Sequence, residues 1–232
     1  MINITFKGVS SADKGLRILS MTRRTTAAVN GESVTVSGRN GDLWLSQGTR
    51  MTYEYQMRAS VKLSRLDEAA AFLTGSGRLI VSDRPDRGID ASIRSEVAFT
   101  RISNGADPLF QAEWSFTCQP GYAVLPEADD ITITRSNSAL TNPYTGESYP
   151  KVKVYGAGDI TLNFGPTTIF FTGVETAIVI DSELLDAFTA DEAQLANSQM
   201  DGDFPTINPG TQYISWTGAV SKVVITPRWR CI

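Results

Sequence analysis

The sequence predicts an almost all-β protein of two domains with one short helix in the first, and three observations carry that prediction. Short runs of β-branched and aromatic residues recur along the chain, and many of its 19 glycines and 10 prolines punctuate them, the pattern of brief strands joined by turns. One segment of the first half, Asp67–Leu73, has the alanine-rich run of a helix. At 232 residues the chain exceeds a typical single domain. The stretch Gln119–Asp130, with two prolines, a glycine and a cluster of acids, interrupts the strand rhythm. It places a boundary between domains 1–128 and 129–232.

In the first domain, Ile2–Phe6 alternates as a strand and Gly8–Leu16 reads as a connection of small polar residues. Ser33–Ser37 is β-branched, and Asn40-Gly41 signals a hairpin, because both positions tolerate the positive φ of a tight primed turn. Leu43–Leu45 and Met51–Leu63 continue as strands. Asp67 is placed to cap the helix, Glu68 favours its positive end, and Gly75 and Gly77 stop it. Arg78–Asp83, Ile93–Arg101 and Leu109–Cys118 follow as strands. In the last of these, Phe110, Ala112, Trp114, Phe116 and Cys118 share one face by period-two alternation.

In the second domain, strand signals recur at Ile131–Thr134, Lys151–Tyr155, Ile160–Phe164, Thr168–Thr172, Thr176–Asp181, Gln212–Trp216 and Ser221–Thr226. That cadence is one of a β-sandwich or jelly roll. Leu184–Met200 fits a helix or a strand that hairpins back through Thr189–Glu192, and strand–turn–strand is the favoured reading.

Composition narrows the chemistry. The chain has no histidine, which removes Ser–His and Cys–His nucleophile systems and histidine-ligated zinc. Cys118 and Cys231 have no metal-ligand spacing, and two reduced thiols are expected in preference to a disulfide. Met1–Gly8 lacks the charge and apolar run of a signal peptide, and no segment reaches the length of a spanning helix. The expectation is a soluble chain made in the cytoplasm. Net charge is −4, spread as 15 Lys+Arg against 13 Asp+Glu in 1–128 and 6 against 12 in 129–232. Neither half carries the clustered basic face of a nucleic-acid reader.

Each candidate site has a plainer explanation. Gly156-Ala157-Gly158-Asp159 precedes a strand, so a turn explains it better than a phosphate loop. Asp201-Gly202-Asp203 lacks calcium-loop spacing, and Glu127, Asp129 and Asp130 read as solvated boundary acids. Arg23-Arg24 and Arg84–Arg87 read as surface cations. Tyr213, Trp216 and Trp229 could form a sugar platform, although alternation in short strands favours core. No cofactor or metal is expected.

The order of several motifs resembles the distal tail (Dit) protein family of long-tailed phages. Gly202–Gly210, Ile214–Gly218 and Val223–Arg230, with its Pro227-Arg228-Trp229-Arg230 ending, look like the end of these proteins. Ile180-Asp181-Ser182-Glu183, Pro150–Val154 with Gly156, Ser11–Leu16, Gly38–Leu43 and Phe116–Pro120 match earlier stations, with Ser37 where proline is common. The resemblance implies an N-terminal β-sandwich or split-barrel-like ring domain and a C-terminal galectin-like, jelly-roll sandwich. It also implies a non-enzymatic hexameric ring that joins the tail tube to the baseplate or tip hub, with DNA passing through without specific binding. The expected partners are copies of the chain, the tail tube protein, the hub protein and, on the outer domain, receptor-binding proteins. The expected location is the virion tail tip after assembly in the host cytoplasm. A ring subunit needs complementary edges, and the glycine-tipped hairpin places Arg39, Asn40, Gly41, Asp42, Leu43 and Trp44 at the expected subunit interface. A glycan-binding tip module is the first alternative, a neighbouring tube or minor tail protein the second, and a wall-degrading enzyme the last.

Overall fold

The computed structural model describes residues 2–22 and 26–232; the Arg23-Arg24 pair lies outside them. The chain divides into two compact units, one of residues 1–122 with residue 232 and one of 123–231. The division falls inside the Gln119–Asp130 stretch and ahead of the expected 128/129 boundary.

Ten strands and one helix build the first unit: β1 (Ile4–Phe6), β2 (Val9–Ser10), β3 (Arg17–Met21), β4 (Val29–Thr35), β5 (Asp42–Arg50), β6 (Tyr53–Lys62), α1 (Leu66–Phe72), β7 (Gly75–Val81), β8 (Arg87–Ile93), β9 (Ala98–Arg101) and β10 (Leu109–Cys118). They pair in the order β2-β1-β7-β8-β10-β6-β3, with β9 on the other part of β10. Alternation along β10 works as the sequence implies: Ala112, Trp114, Phe116 and Cys118 are buried and Phe110 packs beside them. The sheet curls so that β1 faces β10, and the ring of Phe6 meets that of Phe116 at 5.0 Å, edge to face. Helix α1 closes the core with Ala69 and Phe72.

Two local expectations in this unit are corrected. The helix N-cap is Arg65, with no side-chain cap, so Asp67 and Glu68 lie in the first turn and favour its positive end by charge alone. At its other end the Thr74 hydroxyl donates to Ala71 O at 2.8 Å, and Gly75 and Gly77 belong to β7. Strand β8 was not anticipated, because Gly88 and Asp90 interrupt its apolar pattern.

After β11 (Tyr122–Val124), the second unit holds β12 (Ile131–Ile133), β13 (Ser138–Asn142), β14 (Lys151–Phe164), β15 (Thr167–Val174), β16 (Ala177–Asp181), β17 (Asp186–Thr189), β18 (Met200–Asp201), β19 (Gly210–Thr226) and β20 (Arg230–Cys231). Its architecture depends on two long strands. Near one end, β14 and β19 run between β12 on one side and β16-β17 on the other. At the other end the same strands run between β13 and β15-β18. One pair of strands thus serves two layers, which close on a shared core that includes Val152, Val154, Leu162, Phe164, Ile214, Val223 and Ile225.

The sequence reading broke β14 and β19 into two strands each. The structure bends them instead. The register between them shifts around Gly156–Thr161, where the backbones come too close for side chains. A Cβ on Gly156 would lie 2.5 Å from Ala219 O, and one on Gly218 would lie 2.5 Å from Asp159 O. The Gly156–Asp159 motif is therefore a bulge within a strand, neither phosphate loop nor terminal turn. Leu184–Met200 is strand and turn as favoured, with Phe188 bridging Leu195.

Candidate assembly surface

The hairpin β4–β5 joins neither larger sheet; it is a two-stranded sheet of its own. Cross-strand pairs Glu32↔Leu45 and Val34↔Leu43 occupy one face, while Ser33↔Trp44, Thr35↔Asp42 and Gly31↔Ser46 occupy the other. Each face carries apolar area. Trp44 is 55% exposed, and Leu43, Leu45, Val29 and Val36 are exposed with it. The indole lies so near Gly31 that a Cβ there would approach it to 2.8 Å.

Polar contacts stiffen the ribbon and tie its base. Asn30 Nδ2 donates to Gln47 Oε1 at 2.8 Å, and the Thr35 hydroxyl to Asp42 Oδ1 at 2.8 Å. At the base, Arg50 Nη1 donates to Ala27 O at 3.0 Å and Met51 N to Ala28 O at 2.8 Å. The tip differs from expectation. Positive φ falls on Gly38 and Gly41 rather than on Asn40, and the Arg39 N–H donates to Val36 O. The strands therefore close at Thr35↔Asp42 through a longer loop, not a tight turn at Asn40-Gly41. Arg39, Asn40, Gly41, Asp42, Leu43 and Trp44 all lie exposed along this tip and its descending strand. Val34, Val36 and Leu45 lie within the strands that the sequence outlines at Ser33–Ser37 and Leu43–Leu45, and Val29 lies ahead of them.

A free two-stranded ribbon is marginally stable in water, and this one leaves apolar side chains exposed on both of its faces.

The other candidates resolve otherwise. Among the described residues no group of three or more His, Cys, Asp or Glu side chains could hold a metal ion. Asp201 pairs with Phe170 as part of β18, and Asp130 accepts the Thr226 hydroxyl at 2.6 Å. Of the aromatic trio, Tyr213 is 60% exposed, whereas Trp229 is buried with its ring 6.1 Å from Tyr144. Trp216 packs against the core. They form no common platform. Arg84 lies over the Tyr122 ring at 5.9 Å, and Arg87 pairs with Asp86 at 2.9 Å. A cavity of about 460 Å³ between β3, β6 and β10 is lined by Ser20, Gln56 and Trp114, with the Arg58–Glu113 ion pair on its wall. Both cysteines are free thiols. Burial pushes the Cys118 thiol up to about 12, so it stays protonated and inert.

The Pro227–Arg230 ending has a structural task. Arg228 grips the buried Asp181 carboxylate through two hydrogen bonds of 2.6 and 2.8 Å, and Arg230 reaches Glu183 at 2.7 Å. The Ile180–Glu183 and Pro227–Arg230 motifs, distant in sequence, are thus one ion-pair network.

No family model matches the chain, and no curated protein does. Among solved structures, the chain superposes on the Dit (gp 19.1) protein of phage SPP1 with a TM-score of 0.74 at 15% identity. The match covers 97% of this chain and 98% of that one. The fold is that of a Dit protein. SPP1 Dit is described as a paradigm of the hub adsorption apparatus in phages that infect Gram-positive bacteria. The Dit fold spans both units, so the two-domain β architecture implied by the motifs holds for the whole chain.

Proposed function

We propose that this chain is a structural component of a phage tail tip, in which six copies close a ring between the tail tube and the tip hub. DNA passes through the ring's channel without specific binding. The first unit forms the ring, at the tail tip of a particle assembled in the host cytoplasm. The chemistry is assembly, not catalysis. End-to-end likeness to the SPP1 Dit fold supports the location. The observation that carries the assembly reading is the separate β4–β5 hairpin, apolar and exposed on both faces. A ring contact is heterologous: one patch meets a different patch on the neighbour, and rotation closes the circle. A hairpin apolar on both faces suits such a contact because it can be clasped. Arg39–Trp44, with Val34 and Leu45, then belongs to the interface.

The test is the solution mass of the purified chain together with negative-stain images. A six-fold ring with a central hole is expected. A closed particle of different symmetry would overturn the hexamer, and absence of the chain from isolated tails would overturn the location.

A further inference from the structure

The first unit contains all three Asn-Gly pairs of the chain: Asn30-Gly31, Asn40-Gly41 and Asn104-Gly105. An asparagine before glycine is chemically labile, because the glycine nitrogen, with no Cβ beside it, can turn back onto the side-chain carbonyl. The nitrogen gives up its proton to hydroxide, bonds to Cγ and expels ammonia. Water then opens the cyclic imide at either carbonyl and leaves aspartate or isoaspartate. Nothing is oxidised or reduced, and one negative charge is gained.

The fold treats the three pairs differently. Asn30 lies in β4 at a shift of register, yet its Nδ2 donates across the ribbon to Gln47 Oε1 at 2.8 Å and to Thr49 Oγ1 at 3.3 Å. Gly31 pairs with Ser46 and has no room to turn. A Cβ there would lie 2.5 Å from Leu45 O and 2.8 Å from the Trp44 indole. The imide can close at Asn30 only if both side-chain bonds break and Gly31 leaves the ladder.

Asn40 and Asn104 meet neither restraint. Both are exposed and lie outside any strand. Gly41 has φ 77 and Gly105 φ 131, conformations that glycine adopts freely, and a Cβ on either would meet nothing within 4 Å. Among the described residues no hydrogen bond holds either amide side chain or the N–H of Gly41 or Gly105. The loops are nonetheless anchored at their ends. The Thr35 hydroxyl donates to Asp42 Oδ1 at 2.8 Å, the Leu109 N–H to Ser103 Oγ at 2.8 Å, and the Ser64 N–H to Asp107 Oδ1 at 3.0 Å. Each reactive pair is thus a loop tip on a fixed frame, able to turn while the unit stays folded.

We infer that Asn40 and Asn104 are sites of spontaneous deamidation in the folded chain and that β4 protects Asn30. At Asn40 the inference has a consequence that rests on the ring reading. The new carboxylate arises beside Asp42, and isoaspartate lengthens the backbone, both at the tip of the hairpin. Ring closure covers that tip, so the reaction there belongs to subunits that have not assembled, and a waiting subunit ages at its joint.

The purified full chain is held at mildly alkaline pH, at a dilution where it runs as a single subunit. Peptide mapping by mass spectrometry follows the exchange of amide for carboxyl at each site. Asn40 and Asn104 are expected to convert at least roughly tenfold faster than Asn30, which must first give up two hydrogen bonds and its place in the ladder. In urea the three rates should converge. Asn30 keeping pace in the native chain would overturn the inference. So would differences that persist in urea, since sequence neighbours rather than the fold would then set them. When a part-aged sample is concentrated, its rings should hold converted Asn104 in the same proportion as the whole sample and Asn40 largely intact. Equal proportions at both sites would overturn the ageing of the joint. A chain that forms no ring fails the ring reading alone, because the rates are read on the single subunit.

Discussion

At the scale of single residues, the Arg228–Asp181 pair ties the chain's last segment to the end of β16. Burial alone would raise the Asp181 carboxyl. The hydrogen bonds and charge of Arg228, with the Leu184 and Glu183 N–H groups, outweigh that and hold it below its ordinary value of 3.8. A carboxyl lowered by folding stabilises the native state above its unfolded pKa, and that contribution is lost as pH falls through the folded value. Asp181→Asn should therefore cost about 1.5–3 kcal/mol at neutral pH, the scale of hydrogen bonds to a charged group. The gap from wild type should narrow as pH falls below about 3.8. Urea unfolding at neutral and acid pH measures both; a pH-independent gap would show that the charge is irrelevant. The cysteines give a second prediction. Cys118 is fully buried and Cys231 partly exposed, so a thiol reagent should modify Cys231 in the native protein and reach Cys118 only on unfolding. Equal native rates, read by mass spectrometry, would contradict the burial.

At the scale of elements, strands whose apolar alternation coincides with their burial could be read, and polar strands and geometry made by two strands could not. Strand β10 was readable to its ends because its alternation is its burial. Strand β13 was missed because its residues Ser138, Thr141 and Asn142 are polar. The long bend of β14 and β19 was hidden for a different reason. A glycine pair has the same signature whether it ends a strand or lets two backbones touch, and only the partner strand decides which. The hairpin itself was legible, but its isolation from both sheets was not, since a sequence names a strand without naming its neighbours. Gly218→Ala tests the bend directly. The position has φ 97 and its Cβ would lie 2.5 Å from Asp159 O. The expected cost is about 2–3 kcal/mol, combining left-handed strain with overpacking, measured as a lower unfolding midpoint. A neutral result would mean that the two strands can separate there without loss.

At the scale of the whole molecule, the central question is what covers the β4–β5 ribbon. Trp44 is more than half exposed, with its indole beside Gly31 and its backbone opposite Ser33, so its removal should barely disturb the fold. A shift in melting temperature within roughly 4 °C is expected for Trp44→Ala. In the proposed ring the same indole would be a buried aromatic anchor, and truncating such a residue commonly costs 2 kcal/mol or more, about thirtyfold in affinity per contact. The loss recurs at every interface of a closed ring, so assembly should collapse to small species while each subunit stays folded. Light scattering and imaging of wild type and Trp44→Ala at matched concentration read the assembly, and circular dichroism reads the fold. Intact rings in the variant would remove Trp44 from the interface. A variant that unfolds would instead make the indole a support for its own hairpin, and Leu45→Ser on the opposite face, paired with Glu32, then decides. Loss of rings with a folded subunit in that second variant restores the hairpin as the joint between copies; rings unchanged in it place the joint elsewhere on the first unit.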